Sequence, residues 1–217
     1  MPRVRVLGDD LLGVDIVRRG KRAAVAQQLR DSGVWRECVE GMACVVVQFD
    51  SANMAVADAV RRLSAQLEST SRRRRAESPG IEIPVCYGGE FGPEFDSICE
   101  MTGLAADALI HLHTSREHRV DLIGFTPGFA YLSGLYDDLR IPRLTEPRQH
   151  VAAGSVGVAA GLTGLYAVAG PGGWPLLGRT PLPLFDPRAS QPFVLRVGMR
   201  VRFTAIDDLT FRRMAAS

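Results

Sequence analysis

The sequence predicts a mixed α+β unit followed by a mainly β unit that closes as a barrel. Three observations carry this. Up to residue 67, short apolar runs alternate with segments of helical periodicity, the strand–helix–strand–helix order of helices laid on one face of a sheet. The stretch STSRRRRAESPG at 69–80 has almost no apolar residues and separates two apolar-patterned regions. From 119 onward, and most densely at 124–187, Gly and Pro recur every few positions. A long amphipathic helix does not survive that punctuation, whereas short strands joined by tight turns do, and a barrel removes their exposed edges. The units are therefore drawn at 1–70 and 81–217, with 71–80 as the linker.

Taken in order, 3–7 and 11–17 read as strands around a turn at 8–10. Residues 23–32 read as a short helix that Gly33 ends. The apolar run at 45–49 reads as a buried strand. Asn53 is placed to cap a helix whose Val56, Val60, Leu63 and Leu67 form one apolar stripe. The four arginines at 72–75, with a neighbouring Glu, read as a solvated hinge rather than a nucleic-acid patch. Beyond them 81–87 reads as a strand, 94–101 as a helix stopped by Gly103, and 105–113 as a second short helix.

Composition narrows the function classes. The 217 residues are 46% hydrophobic and 23% charged, ordinary for a globular chain. A net charge of +2 gives no argument for nucleic acid. No run of about eighteen apolar residues occurs, so no membrane span is expected. The opening MPRVRVLGDD lacks the apolar core of a signal peptide, and a cytoplasmic location is expected. The cysteines at 38, 44, 86 and 99 show no CxxC spacing and read as free thiols.

The chemical candidates cluster in the Gly/Pro-rich half. There is no GxxxxGK[ST]. The glycines of GPGGWPLLGRTP at 170–181, Gly172 and Gly173 among them, either let backbone N–H groups approach an anion, with Arg179 adding charge, or serve only as turn residues. Arg143 and Arg148 each follow a proline, so each projects from a stiff loop. That suits a carboxylate clamp and a structural salt bridge equally. Phe125, Phe129, Tyr131, Tyr166 and Trp174 are core or pocket wall. Ser155, in AGSVG, lacks the glycine two before it and the strand–elbow–helix context of a hydrolase nucleophile. His111 and His113 point to different helix faces, and no thiol or carboxylate spacing completes a metal site. Turns from 124–133, 154–164 and 170–181, with Thr163 in the second, are expected to line a concave surface with Arg179 near its rim.

The order GFTPGFAYL, two Pro-Arg pairs, AGSVGVA, TGLY, PGGW, GRTP and LFDP, preceded by LGDD at 7–10 and IPVCYGGEFGPEF, resembles the family of KipI and the 5-oxoprolinase B subunit, also called allophanate hydrolase subunit 1. The resemblance runs through nearly the whole chain. It implies a ferredoxin-like N-terminal domain and a cyclophilin-like C-terminal barrel. It also implies a non-autonomous subunit of an ATP-dependent 5-oxoprolinase, or a related hydrolase of a small amide or lactam. A lactam carbonyl is a poor electrophile, and phosphorylating its oxygen supplies driving force, which calls for cations around phosphoryl oxygens. Arg143, Arg148 and Arg179 are the candidates. His113, in a His-Thr pair that recurs in the family, is a candidate general acid or base, or else a histidine satisfied by a neighbouring carbonyl. ATP would be shared with a partner like the 5-oxoprolinase C subunit (allophanate hydrolase subunit 2-like), and a LamB/YcsF-like protein, the A subunit, would complete the reaction. The alternative implied is a KipI-like regulator that inhibits a sensor histidine kinase. The chain departs from the family pattern at Gly161-Leu162, where relatives commonly show a polar pair, and at Ala130, Ala167 and Gly170.

Overall fold

A computed structural model of the chain describes residues 3–16, 19–41, 43–69 and 80–216. The expected linker at 71–80 lies outside the described residues except for Gly80. The described residues fall into two compact units, one on each side of 70–79.

In the N-terminal unit, β1 (Val4–Val6) and β2 (Leu11–Asp15) form a hairpin whose turn takes Gly8 at φ +79°, where a Cβ would be strained. Helix α1 (Arg19–Asp31) follows, then β3 (Glu37–Glu40), β4 (Cys44–Gln48) and α2 (Val56–Ser69). The antiparallel sheet runs β1-β2-β4-β3. The strand–helix–strand–strand–helix run is preceded by β1, which fills the edge beside β2. Strand alternation puts Leu12, Val14, Val45 and Val47 on one buried face, against Val25, Ala26 and Leu29 of α1 and Ala59, Leu63 and Leu67 of α2. Inside this core Arg22, 1% exposed, is ion-paired with Glu40 and donates to the Ile16 carbonyl.

Two expectations are corrected here, and one strand was not foreseen. Asn53 does not cap α2: its amide donates to the Asp50 carboxylate, closing a turn three residues before the helix begins. The first helix starts at Arg19, four residues earlier than its apolar spacing suggested. Strand β3, ECVE, has no apolar run, because only its Cys38 and Glu40 are buried.

The C-terminal unit is a closed seven-stranded barrel built from β5 (Gly80–Tyr87), β6 (Glu117–Ile123), β7 (Ala130–Ser133), β9 (Ser155–Ala159), β10 (Leu162–Leu165), β12 (Leu176–Arg179) and β13 (Arg200–Ile206). Its cyclic order is β10-β7-β6-β13-β5-β12-β9. Among the described residues only the β5–β13 pair is parallel, from Gly80↔Arg200 to Cys86↔Ile206. Ile83, Val85, Val120, Leu132, Val156, Leu165, Val201 and Phe203 fill the interior. Helices α3 (Phe95–Thr102) and α4 (Ala106–Thr114) pack Phe95, Ile98 and Leu109 on Val158 and Leu177. Gly103 ends α3 in the left-handed region, as its position predicted. Two further strands, β8 (Arg148–Val151) and β11 (Gly170–Gly172), form a separate ribbon. Helix α5 (Asp208–Ala215), capped by the Asp207 side chain on Thr210 N–H, packs through Phe211 on Phe91 and Cys86.

Candidate functional site

The sequence candidates divide between the two faces of β10. Successive side chains on a strand alternate, so Thr163 and Leu165 face the barrel interior while Leu162 and Gly164 face outward. The interior group is His113, Thr163, Tyr87, His118 and Phe203. His113 projects from α4 and is fully buried. Its Nδ1 lies 2.7 Å from Tyr87 Oη and its Nε2 3.1 Å from Thr163 Oγ1, while its ring stacks on Phe203. His118 Nε2 donates to the His113 carbonyl at 2.9 Å. Burial, then the neighbouring His118, holds His113 well below its ordinary pKa; burial also lowers His118 and pushes the Tyr87 phenol up. All three are neutral at pH 7. Both ring nitrogens of His113 are therefore partnered inside the barrel, while His118 Nδ1 is buried without a hydrogen-bond partner.

The outward face holds the aromatics. Gly164 has no side chain: a Cβ there would come within 2.8 Å of Phe129 and 2.9 Å of Trp174. Both rings therefore pack directly against the sheet, at 79° to one another. Phe129 meets Tyr131, Tyr166 and Trp174 edge to face, with centroids 4.7, 4.8 and 5.7 Å away. Gly172 lies against the Tyr166 ring and Gly157 against Trp174. Of the GPGGW glycines, Gly172 thus serves the close packing of an aromatic ring, while Gly173 lies against Pro147. Phe125 extends this group outward. It sits at φ +77°, uncommon for a non-glycine residue, and is 66% exposed, with its ring edge-on to Phe129 at 5.7 Å.

Arg143 stands over this floor. Its guanidinium is 5.9 Å from the Trp174 ring centroid. Its loop is fixed on both sides: Ile141 is buried and its carbonyl accepts from Ala160 N–H, and Leu144 N–H donates to the Gly173 carbonyl at 2.8 Å. Arg143 itself is exposed. Its charge reaches both phenols, opposing the rise that burial imposes on Tyr131 and Tyr166. The net direction is upward for both, so both are protonated donors at neutral pH. Arg148, on β8, is paired with Glu94, whose carboxylate also accepts the Leu176 N–H at 2.9 Å. The clamp and salt-bridge readings thus separate, since Arg148 is held in an ion pair and Arg143 is presented.

Arg179 and Ser155 sit on neighbouring strands, and the Ser155 carbonyl accepts the Tyr166 N–H at 3.0 Å. Ser155 is buried on β9, directly opposite Arg179 on β12. Arg179 Nε donates to the Ala153 carbonyl at 2.8 Å, and its guanidinium lies 6.0 Å from the Phe211 ring centroid. A cleft of about 470 Å³ is lined by Ile123 and by residues from 190–197, including Phe193, Leu195 and Val197. It adjoins the turn at 124–133, and its lining includes nothing from 154–164 or 170–181.

Sequence reading missed Tyr87, Glu94 and the 190–197 segment. Glu94 lies inside the FGPEF motif, and its conjunction with two stiff Pro-Arg pairs was the available signal. Nothing in SQPFVLRV marks a cleft, because its apolar residues read equally well as core.

Comparisons with known proteins agree on a family. The family described as carboxyltransferase domain, subdomain C and D, matches residues 2–195. The 5-oxoprolinase B subunit of Bacillus subtilis is 42% identical over 151 residues, covering 70% of this chain and 61% of that protein. The match thus spans less than two thirds of the Bacillus protein. The 5-oxoprolinase B subunit of Escherichia coli O157:H7 is 42% identical over 179 residues, 82% of each chain. The urea carboxylase of Kluyveromyces lactis superposes with a TM-score of 0.77 over 98% of this chain and 22% of that one. Its 18% identity makes that likeness one of fold. No helix among the described residues is long and apolar enough to cross a membrane.

Proposed function

The chain belongs to the family of the 5-oxoprolinase B subunit, and from that premise we propose that it is a non-autonomous subunit of an ATP-dependent 5-oxoprolinase. The observation that carries this is the 42% identity with the Escherichia coli B subunit over 82% of both chains. In this reading two further proteins, one like the 5-oxoprolinase C subunit and one LamB/YcsF-like, complete a cytoplasmic complex. The N-terminal unit is read as ferredoxin-like, with β1 standing where the last strand would pair, and the barrel as cyclophilin-like.

The chemistry of the outer face fits a contributing role. One presented guanidinium and two protonated phenols suit a single oxyanion group, and a triphosphate needs more cations than that. If ATP binds, Arg143 and Tyr131 would hold one of its oxyanion groups at most, and the partner would supply the rest. ATP, when bound, would activate the lactam oxygen as a leaving group. This chain's residues orient and donate.

The test is reconstitution. The chain alone, its pair with the allophanate hydrolase subunit 2-like partner, and the three-protein mixture are assayed for ATP-dependent release of glutamate from 5-oxoproline. Turnover is expected only in the full mixture. Turnover by the chain alone, or none by the mixture alongside inhibition of a sensor kinase by the chain, would overturn the reading.

A further inference from the structure

We propose that Arg143, Tyr131 and Tyr166, over the Trp174 ring, form a subsite for an oxyanion, a carboxylate or a phosphoryl group, and that Arg148 stands behind it as a positioning residue. As to substrate, this rests on the function proposed above; as to anion binding, it stands on geometry.

The geometry is one of unmatched donors. Tyr166 is 1% exposed, and its hydroxyl, packed against Gly172, has no hydrogen-bond partner among the described residues. The Trp174 backbone N–H is directed at its oxygen without reaching hydrogen-bond geometry, so none of these residues accepts the phenol proton. A buried hydroxyl without an acceptor is costly to fold, and such a group calls for an explanation, a bound polar group being one. Arg148 Nη1 is likewise buried and unpartnered, while Nη2 is committed to Glu94. The Arg143 and Arg148 charges both reach the Tyr166 hydroxyl, and the Arg143 charge reaches Tyr131. Among the described residues no ion pair engages Arg143, and Glu94 is the one carboxylate paired with either cation. Two cations and two phenols thus converge. An anion entering beside exposed Arg143 would meet a guanidinium fork and the half-buried Tyr131 hydroxyl. Tyr166 lies deeper, its buried hydroxyl against Gly172 of the β8–β11 ribbon.

Arg143 is held for this purpose. Ile141 in the core and Leu144 on Gly173 fix the backbone on both sides, which lowers the entropy lost on binding. The Trp174 face beneath the guanidinium orients it without neutralising it.

The test uses the full chain and the assembled complex. In the full chain, the two tryptophan indole N–H resonances are followed by NMR, with Trp35→Phe assigning them. Titration with acetate, with inorganic phosphate and with 5-oxoproline at millimolar concentrations should shift the Trp174 resonance, and the shift should vanish in Arg143→Ala. In the complex, Arg143→Ala should raise one Michaelis constant by about ten- to a hundred-fold, the range of a lost charge-assisted contact. A rise for 5-oxoproline assigns the site to the lactam carboxylate, and a rise for ATP assigns it to a phosphoryl group. Arg143→Lys should recover part of the loss, since it restores charge but not the fork. Tyr166→Phe should weaken binding while leaving the unfolding midpoint unchanged or higher, because it removes an unsatisfied buried hydroxyl. A merely structural tyrosine would leave binding unmoved. Should the complex prove inactive on 5-oxoproline, the function above fails and the NMR titration decides the subsite alone. A Trp174 resonance indifferent to all three anions overturns the proposal. So do Michaelis constants that stay within about twofold in Arg143→Ala, a change too small for a charged hydrogen bond.

Discussion

At the residue scale, His113 shows how far a motif can lie from its chemistry. The His-Thr pair is legible in the sequence, but the register that turns His113 inward among Tyr87, Thr163 and Phe203 comes from helix packing, which no local pattern encodes. Its burial has a consequence for pH. Both His113 and His118 have folded pKa values lowered from the ordinary 6.5, so the unfolded chain binds more protons than the folded one below that pH. Their contribution to stability is complete above about pH 6.5 and is lost as pH falls toward the folded values. Each histidine steepens the loss by about 1.4 kcal/mol per pH unit inside that window. Urea midpoints measured on acidification should fall accordingly, while the ring resonances of His113 and His118 in the folded protein should titrate below the ordinary histidine range. A folded-state titration of His113 near its ordinary value would show the network to be open to water. Leu162 is a second case. Its apolar identity stood out against the family pattern, and its place in the buried aromatic cluster accounts for that side chain by packing. Replacing it by Ala is expected to cost about 2–5 kcal/mol of stability.

At the element scale, the barrel strands were legible as a class, because Gly/Pro punctuation excludes helix. Their pairing was not legible: β5 lies parallel to β13, more than a hundred residues away, and no short-range signal sets that register. Strand β10 displays the difference between pattern and placement. LTGL reads as an unremarkable strand, yet alternation sends Thr163 to the histidine network and Gly164 to the aromatic floor. The glycine is what permits two rings to lie on the sheet. Gly164→Ala would drive a methyl into Phe129 and Trp174, and neither ring can retreat from its packed neighbours. We expect a loss of about 1–3 kcal/mol in chemical denaturation, the usual size of overpacking, with a changed near-UV circular dichroism from the displaced tryptophan. An equally stable variant with an unaltered spectrum would mean that the outer face is loosely packed, and the preorganisation argued for Arg143 would fall with it.

At the scale of the whole molecule, the polar gap at 69–80 was the most legible feature, and the two sheets it separates share no ladder among the described residues. Each has its own buried cluster: Leu12, Phe49 and Leu63 in the first, Ile83, Leu132 and Phe203 in the second. Strand β5 takes all its described partners from β12 and β13, so a chain beginning at residue 80 keeps every barrel hydrogen bond. We therefore expect residues 80–217, expressed alone, to unfold in one cooperative transition and to keep the near-UV signature of Trp174. The same fragment should retain the anion-dependent shift of the Trp174 indole, because Arg143, Tyr131, Tyr166, Arg148 and Glu94 all belong to it. A fragment that folds but has lost the shift would place part of the anion site in residues 1–79. A fragment that does not fold would show that the barrel depends on the N-terminal unit, despite its closed sheet and separate core.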